Sequence, residues 1–239
     1  MSNRFDRYGF YPKEIVKGKT VYEQCIARSN ECGLPLFVTM CGGKKTFFGI
    51  GYDRFCNHHY KHTAGWQVYE MINPDLPSKI YLDFDEKDVS QSELFEQSTS
   101  AFVDHALSKL PAGSTHHVMV SDNPLSKHVI INVFLKDLKK VKAFVNMCNS
   151  SNPCPSLDMN VYSPFSVYSP FSLFRVLYSH SIGTNKSTAL RVVGEPIGEY
   201  NPELVKDTLI QAYDPAIHKI YDPNTKEFLK RSSSTVRLK

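Results

Sequence analysis

Two aspartates next to an apolar run are the residues of this chain best suited to chemistry. Asp83 and Asp85 lie in the stretch PSKIYLDFDEKD at positions 77–88. On an extended strand, residues two apart share a face, so both carboxylates point one way while Leu82 and Phe84 point the other. Neighbouring carboxylates repel each other unless a cation lies between them. The pair therefore predicts a site for a hard divalent cation such as Mg²⁺ or Mn²⁺.

Two further pieces of sequence suit the same chemistry. Ser126 and His128 lie at the entry to the apolar run VIINVF, and on a strand they share a face, so a hydroxyl and an imidazole together can bind phosphate oxygens. Asp158 follows a loop and offers a third carboxylate, which would complete a two-metal site for phosphoryl transfer.

Each piece also has other interpretations. An Asp-x-Asp after a strand occurs in haloacid-dehalogenase-type phosphatases and in nucleotide-sugar glycosyltransferases. The phosphatase pattern favours Thr or Val where this chain has Lys87. A single Ser-x-His is more often structural than functional. The order and spacing of all three pieces favour one phosphate-handling site.

The elements that must position these residues alternate irregularly between strand and helix. Apolar periodicity, turn signals and helix caps predict the following order. The expected elements are helix 19–29, strands 36–40 and 46–50, helix 52–61, strands 66–72 and 80–85, helix 90–110, strands 116–121 and 128–135, helix 137–147, strands 174–178 and 189–193, and a helix that starts at Asn201. Strands and helices without strict alternation predict an α+β fold.

The bulk composition is that of an ordinary globular chain. The 239 residues are 41% hydrophobic and 22% charged, with a formal net charge of +4, which permits a polyanionic partner without requiring one. The first ten residues are polar and charged, and no apolar run reaches the roughly 20 residues of a membrane span, so we expect an intracellular protein with no membrane partner. Among the six cysteines, Cys41 and Cys56 with His58 and His62 have partial zinc-ligand spacing. A surface helix is the favoured interpretation, and no zinc is expected.

As a combination, the motifs resemble the catalytic core of archaeo-eukaryotic-type primases, most of all the eukaryotic and viral primase-polymerase branch. The family pattern is an apolar strand ending in Asp-x-Asp or Asp-x-Glu, then Ser-x-His on a strand, then Asp shortly before Val-Tyr and Phe-Arg. The chain shows LDFDE, SKHVII and LDMNVY…LFRVLY in that order, and STALRVVG near 187–194 is similar to a strand of poxvirus-type primases. The resemblance covers roughly residues 19–212.

The resemblance implies a template-dependent primase-polymerase that extends, and in some cases initiates, primers in DNA replication or damage tolerance. It implies an N-terminal α/β module packed on an RRM-like module that carries the metal site. Two Mg²⁺ or Mn²⁺ ions are expected on the three aspartates. The implied nucleotide-binding residues are Tyr69, Ser126, His128, Arg175 and Lys186. The implied partners are a single-stranded DNA template with its primer, nucleoside triphosphates, and a helicase or single-strand-binding protein, in the nucleus, a mitochondrion or a viral replication compartment.

The chain departs from the family pattern between Asp158 and Arg175. VYSPFS at 161–166 is repeated at 167–172, and removal of one copy restores the expected spacing. A basic residue usually follows Phe-Arg by about six positions, but Ser181 stands there, and Lys186 and Arg191 are the nearest substitutes. The alternatives are therefore another two-metal nucleotidyltransferase, a nuclease, or a catalytically weakened nucleic-acid-binding subunit.

Basic residues outside these motifs are candidates for template contacts. Lys44 and Lys45 follow two glycines in an expected hairpin turn, and Lys139 and Lys140 lie on an expected helix with Lys142. A solvated surface explains these lysines equally well. We expect an arm at residues 1–18, a catalytic core at 19–225 and a basic polar tail at 226–239.

Overall fold

The computed structural model describes residues 21–41, 44–60, 67–164, 171–180, 189–195 and 200–229. Within these ranges the chain combines helices with antiparallel sheets, which confirms the α+β class. The helices are α1 (Val21–Cys32), α2 (Tyr52–Arg54), α3 (Ser92–Ser108), α4 (Leu138–Ser151) and α5 (Pro202–Thr208). The strands are β1 (Leu36–Cys41), β2 (Lys44–Gly49), β3 (Gln67–Ile72), β4 (Ser78–Asp85), β5 (His116–Val120), β6 (Ser126–Leu135), β7 (Ser172–Arg175), β8 (Arg191–Val192), β9 (Tyr221–Asp222) and β10 (Glu227–Phe228).

Sheet A has the strand order β2-β1-β3-β7, and all of its pairs are antiparallel. One face of it packs against α1 through a small cluster that includes Cys25, Val38 and Phe47. The other face contributes Phe37, Phe48 and Val68 to the main core. Sheet A is therefore covered on both faces, and its edge strand β7 brings Arg175 to the boundary with the second sheet.

Sheet B has the strand order β4-β6-β5-β8 and is also antiparallel. Helices α3 and α4 cover one face, where Phe84 of β4 meets Phe102 of α3 with ring centroids 5.8 Å apart. Asp137 caps α4 by accepting from the N–H of Lys140. The strand β4 is buried along most of its length, and its exposure rises only at the Asp83–Asp85 end.

A single core joins the two sheets, because buried residues of both belong to one contiguous cluster. The buried carboxyl group of Glu70 in β3 accepts the backbone N–H groups of Ile210 and Gln211 over 2.6 and 2.9 Å. The carbonyl oxygen of Ile210 in turn accepts the N–H of Lys79 in β4. The segment after α5 thus ties sheet A to sheet B.

Most of the predicted elements are present, with shifted ends. The helix expected at 52–61 is a short α-helix that continues as a π-helix over Phe55–His59. The strand expected at 174–178 ends at Arg175, and Tyr178 has a positive φ of 63° that no strand residue adopts. The hairpin of β9 and β10 extends the paired structure beyond residue 225, where we expected the core to end.

The predicted arm at 1–18 and the last ten residues lie outside the described residues. No helix in the described part of the chain is both long and apolar enough to cross a bilayer.

Candidate active site

Strand β4 presents the first two carboxylates. Its residues Ile80, Tyr81 and Leu82 are fully buried, which fixes the register of the strand against its neighbours. Phe84 points to the helix face, so the alternation of the strand places Asp83 and Asp85 together on the opposite face. The predicted arrangement of the pair is confirmed.

Strand β6 places Ser126 and His128 directly across from the carboxylates. In the antiparallel register, Asp83 is opposite His128 and Asp85 is opposite Ser126. Opposed residues share a sheet face, so all four side chains belong to one surface. Both Ser126 and His128 are largely buried.

The third carboxylate comes from the segment along the free edge of β4. The N–H of Asp85 donates to the carbonyl of Ser156, and the N–H of Asp158 donates to the carbonyl of Asp83, both over 2.8 Å. Phe84 and Leu157 form an isolated antiparallel bridge between these two bonds. This pairing brings Asp158 beside Asp83 although the two residues are far apart in sequence.

The three aspartates could hold a metal ion. Asp83, Asp85 and Asp158 each offer a carboxylate oxygen, and these atoms lie within 4.8 Å of one another. Burial, with the nearby charges of Asp85 and Asp158, raises the pKa of Asp83 to about 8. A cation bound between the three groups would offset this repulsion, and oxygen ligands suit Mg²⁺ or Mn²⁺.

His128 and Arg175 form the other half of the site. Nη2 of Arg175 lies 3.3 Å from Nε2 of His128, and both side chains are buried. Burial and then the charge of Arg175 lower the pKa of His128 to about 3, so the imidazole is neutral. Because a guanidinium only donates, Nε2 accepts, and Nδ1 carries the proton of the ring.

This assignment also decides the nature of the contact between His128 and Asp83. Nε2 of His128 lies 3.4 Å from Oδ1 of Asp83. A neutral ring whose Nε2 accepts from Arg175 cannot donate from the same atom to a carboxylate. The two groups are therefore close neighbours and do not form an ion pair.

Unsatisfied polar atoms are concentrated in this site. Among the described residues, four buried side-chain atoms lack a hydrogen-bond partner: Asp83 Oδ1, His128 Nδ1, Arg175 Nη1 and Asn132 Oδ1. Three of the four belong to the site, and they comprise one acceptor and two donors. Buried polar groups normally have partners. An acceptor beside two other carboxylates fits a cation, and two donors beside it fit an anion.

Two aromatic residues border the anion side. Tyr69 of β3 is directly opposite Arg175 of β7 in sheet A and is half-buried, so the structure brings this predicted residue to the site. The ring of Phe174 packs on the imidazole of His128 with centroids 5.0 Å apart. Phe174 thereby restricts the orientation of the imidazole.

The predicted lysines have different positions relative to the site. Lys45 is exposed on β2, and the registers across sheet A place it on the same face as Tyr69 and Arg175. Lys139 and Lys140 lie at the start of α4, whose first N–H bonds to Pro74 at the opposite end of β4. At about 3.3 Å per strand residue, they are roughly 20 Å from the carboxylates.

The remaining predicted basic residues do not contribute to the described site. Lys186 and the side chain of Lys44 lie outside the described residues. Arg191 pairs with Val120, which pairs with Lys127, so the alternation of sheet B places Arg191 on the helix face, away from His128. As a substitute for the missing basic residue, Arg191 is on the wrong face of the sheet.

The Cys/His cluster is only partly described. The thiol of Cys56 is buried, whereas His58 is exposed on the π-helix. These two side chains therefore have different surroundings. Cys41 and His62, the other members, have side chains outside the described part.

Two residues to which the sequence motifs assign no individual role lie next to the site. Phe174 contacts His128, and Tyr162 donates a hydrogen bond from its hydroxyl to the backbone carbonyl of Tyr81. Both residues lie inside the quoted motifs, as the Phe of Phe-Arg and the Tyr of Val-Tyr. Their places in the motifs were the available signal, but the contact of Phe174 depends on the packing of β7 against sheet B, and that of Tyr162 on the placement of the segment after Asp158 along β4.

A cavity of about 370 Å³ lies elsewhere, between sheet A and the segment after α5. Its lining includes Leu34, Met71, Phe171 and Tyr213, and none of the predicted site residues. The candidate site is therefore identified by its carboxylates and its unsatisfied polar atoms, and not by a cavity.

Comparison of the chain with protein-family models and with curated proteins finds no match. The resemblance to primase-polymerases therefore stays a prediction from the motifs.

Proposed function

We propose that the chain is a template-dependent primase-polymerase that adds nucleotides to the 3′-hydroxyl of a primer. The observation that best supports this proposal is that one buried site contains both an acceptor and two donors without hydrogen-bond partners. Oδ1 of Asp83, with two more carboxylates, suits divalent cations, and Nδ1 of His128 with Nη1 of Arg175 suits the oxygens of a phosphate chain. A metal–nucleotide complex presents both kinds of charge together.

In this proposal the three aspartates hold two Mg²⁺ or Mn²⁺ ions. When bound, such ions lower the pKa of the attacking hydroxyl and stabilise the charge on the transferred phosphoryl group and the leaving pyrophosphate. Asp83 and Asp158 are fixed by the main-chain bond between them, so their carboxylates are positioned before the substrate arrives. A pre-formed ligand set lowers the entropic cost of binding.

Arg175 and His128 bind the triphosphate. The Nη2 of Arg175 is held by His128, and Nη1, which has no partner, is the donor proposed for a phosphate oxygen of the substrate. The proton on Nδ1 of His128 makes that atom a second donor, and Ser126, two residues before His128 on β6, has its hydroxyl on the same face. Tyr69, opposite Arg175, borders the sugar of the incoming nucleotide, where its ring limits the space at the 2′-position.

The two sheets correspond to the two proposed modules. Sheet A with α1 is the N-terminal α/β module, and sheet B with α3 and α4 is the RRM-like module that carries the metal site. The proposed partners are a single-stranded template with its primer and nucleoside triphosphates.

A template-dependent assay tests the proposal. A labelled primer on a template, and the template alone, are incubated with Mg²⁺ or Mn²⁺ and with ribonucleotides or deoxyribonucleotides. We expect primer extension in at least one combination, and products on the bare template if the chain also initiates. Shortening of the labelled strand would instead identify a nuclease. No change in length under any condition, together with template binding, would identify a non-catalytic subunit.

A further inference from the structure

We infer that Tyr162 is a positioning residue for the metal site: its hydroxyl bond to the carbonyl of Tyr81 holds Asp158 at the distance from Asp83 and Asp85 at which the three can share a cation. The inference rests on the metal-binding part of the proposed function. It concerns a residue that touches neither the substrate nor a carboxylate.

Tyr162 and Tyr81 hold each other in both directions. The hydroxyl of Tyr162 donates to the backbone carbonyl of Tyr81, and the hydroxyl of Tyr81 donates to the carbonyl of Val161 over 3.3 Å. Their rings pack with centroids 4.9 Å apart, and both side chains are almost completely buried. Two hydrogen bonds, one buried and one partly buried, and a ring contact thus join β4 to the segment that follows Asp158.

That segment is the short 3₁₀-helix Met159–Tyr162, and Asp158 is its N-cap. One carboxylate oxygen of Asp158 accepts the N–H of Asn160 over 2.8 Å, which fixes the rotamer of the side chain. The N–H of Asp158 donates to the carbonyl of Asp83. The helix is therefore anchored to β4 at both ends, by Asp158 at its start and by Tyr162 at its end.

The two anchor points lie on one strand. Tyr81 and Asp83 are two positions apart in β4 and share the site face. A helix of four residues that is held at both ends cannot tilt or slide without breaking one anchor. Loss of the Tyr162 bond would leave the end of the helix held only by the longer Tyr81–Val161 bond and the ring contact, and its start by the N–H of Asp158. The carboxylate could then move relative to Asp83 while the fold persists.

A hydroxyl is not needed at this position for packing alone. Tyr162 is 4% exposed and belongs to the main hydrophobic core, and a phenylalanine ring would fill the same space. Burial of a hydroxyl is unfavourable unless it is hydrogen-bonded, and here the bond is made to the strand that carries Asp83. The hydroxyl of Tyr162 therefore fixes the position of the 3₁₀-helix relative to β4, while the ring fills space in the core.

The experiment measures binding of Mn²⁺ alone to the full chain, without nucleotide, for the wild type and for Tyr162→Phe. The matched control is Tyr200→Phe, because Tyr200 also donates its hydroxyl to a backbone carbonyl, that of Cys56, away from the carboxylates. Calorimetry gives the affinity, and the electron paramagnetic resonance spectrum of bound Mn²⁺ reports its ligands. Thermal unfolding of each variant gives the loss of stability.

We expect both variants to lose similar stability, and only Tyr162→Phe to bind Mn²⁺ about tenfold more weakly, the size typical of changes that disturb the orientation of a metal ligand. Its Mn²⁺ spectrum should also differ from that of the wild type. Equal affinity and an unchanged spectrum in Tyr162→Phe would overturn the inference. So would an equal loss of affinity in Tyr200→Phe, which would indicate a general effect of destabilisation.

A second variant covers the case in which Tyr162→Phe does not fold. Tyr81→Phe removes the 3.3 Å bonds of its hydroxyl to the carbonyl of Val161 and to Oγ of Ser172, and it keeps the Tyr162 bond. Because the Val161 bond holds the same end of the 3₁₀-helix as the Tyr162 bond, we expect about threefold weaker Mn²⁺ binding, and unchanged binding would contradict the inference that anchoring of this helix end positions Asp158. Failure of the proposed function is distinguishable, because in that case Asp83→Asn would bind Mn²⁺ as the wild type does.

Discussion

The N–H of Asp158 donates to the carbonyl oxygen of Asp83 over 2.8 Å, so two carboxylates from distant parts of the chain are joined through their main chains. The bond is part of a short antiparallel pairing along the edge of β4 that also includes Asp85 and Ser156. It sets the spacing of the carboxylates without any contact between the side chains themselves. The main-chain bonds therefore hold the carboxylates close together although carboxylates at this spacing repel each other.

Replacement of Asp83 by asparagine should separate function from stability. Asn keeps the shape of the side chain, and because the pKa of Asp83 is raised to about 8, the carboxyl it replaces is mostly uncharged at pH 7 without metal, so we expect Tm without metal at that pH to stay about equal. Nucleotide addition and Mn²⁺ binding should fall more than about 100-fold, since a ligand itself is lost. Thermal unfolding, calorimetry and primer extension measure the three effects.

Asp104→Asn is the control for this change, because Asp104 is exposed on α3, on the far side of sheet B. It should leave activity unchanged. Primer extension by Asp83→Asn at the wild-type rate would show that the carboxylates are not the catalytic centre.

Replacement of Arg175 by glutamine should weaken nucleotide binding. Hydrogen bonds to charged groups contribute about 1.5–3 kcal/mol, so the KM for nucleoside triphosphate should rise about 10- to 150-fold. Arg191→Gln is the matched control, since its side chain lies on the helix face of sheet B. Steady-state kinetics with varied nucleotide measure the difference. A larger effect from Arg191 than from Arg175 would reverse the assignment of the phosphate side.

Much of the site could be predicted because the relative placement of its residues depends on short stretches of sequence. The same-face placement of Asp83 with Asp85, and of Ser126 with His128, follows from the alternation of a strand and needs no knowledge of the fold. The register that sets Asp83 opposite His128 could not be predicted, because it depends on how β4 and β6 pair over their whole length, including the irregularity between Lys79 and Ile80.

The basic residues show where sequence reasoning was insufficient. Charge made Lys45 and Lys139 candidates for template contacts, and charge with proximity to Phe-Arg in the sequence made Arg191 a candidate substitute, because a basic side chain gives no sign of which end or face it occupies. The structure separates them by strand order and by the direction in which α4 starts. Tyr162 was missed for a related reason: its partner, the carbonyl of Tyr81, is a backbone group and leaves no signature in the sequence.

The free energy of unfolding should fall at acid pH, in part because Asp207 becomes protonated. A hydrogen bond from His117, the nearby charge of Lys79 and a bond from Asn132 lower the pKa of Asp207 to about 2. A carboxyl whose pKa is lower in the folded state stabilises the fold above its unfolded value near 3.8, and this contribution is lost as pH falls towards 2. Because the side chain is 48% exposed, screening reduces the contribution to about 1 kcal/mol.

Urea unfolding at pH 5 and at pH 2.5 measures this dependence. Asp207→Asn should lower the free energy of unfolding at pH 5 by about 1 kcal/mol and should show a smaller decrease between the two pH values. A pH dependence as steep as that of the wild type would assign the effect to other carboxylates.

The tie between the two sheets should depend on Glu70. Its carboxyl oxygens accept two backbone N–H groups and the hydroxyl of Tyr52, so Glu70→Gln forces an amide N–H to face a backbone donor. We expect a loss of about 2 kcal/mol or more in the free energy of unfolding. Tyr52→Phe removes only the 3.2 Å hydroxyl bond and should cost about 1 kcal/mol. A loss below about 0.5 kcal/mol in Glu70→Gln would show that the tie is weak.

Template binding should distinguish Lys45 from the α4 lysines. Lys45 shares a face of sheet A with Tyr69 and Arg175, whereas Lys139 and Lys140 lie at the other end of β4. We expect Lys45→Ala to weaken binding of a single-stranded template and to reduce the slope of log K against log salt by about 0.7. The double variant Lys139→Ala/Lys140→Ala should change neither quantity. Fluorescence anisotropy at several salt concentrations measures both, and the opposite ranking would place the template along α4.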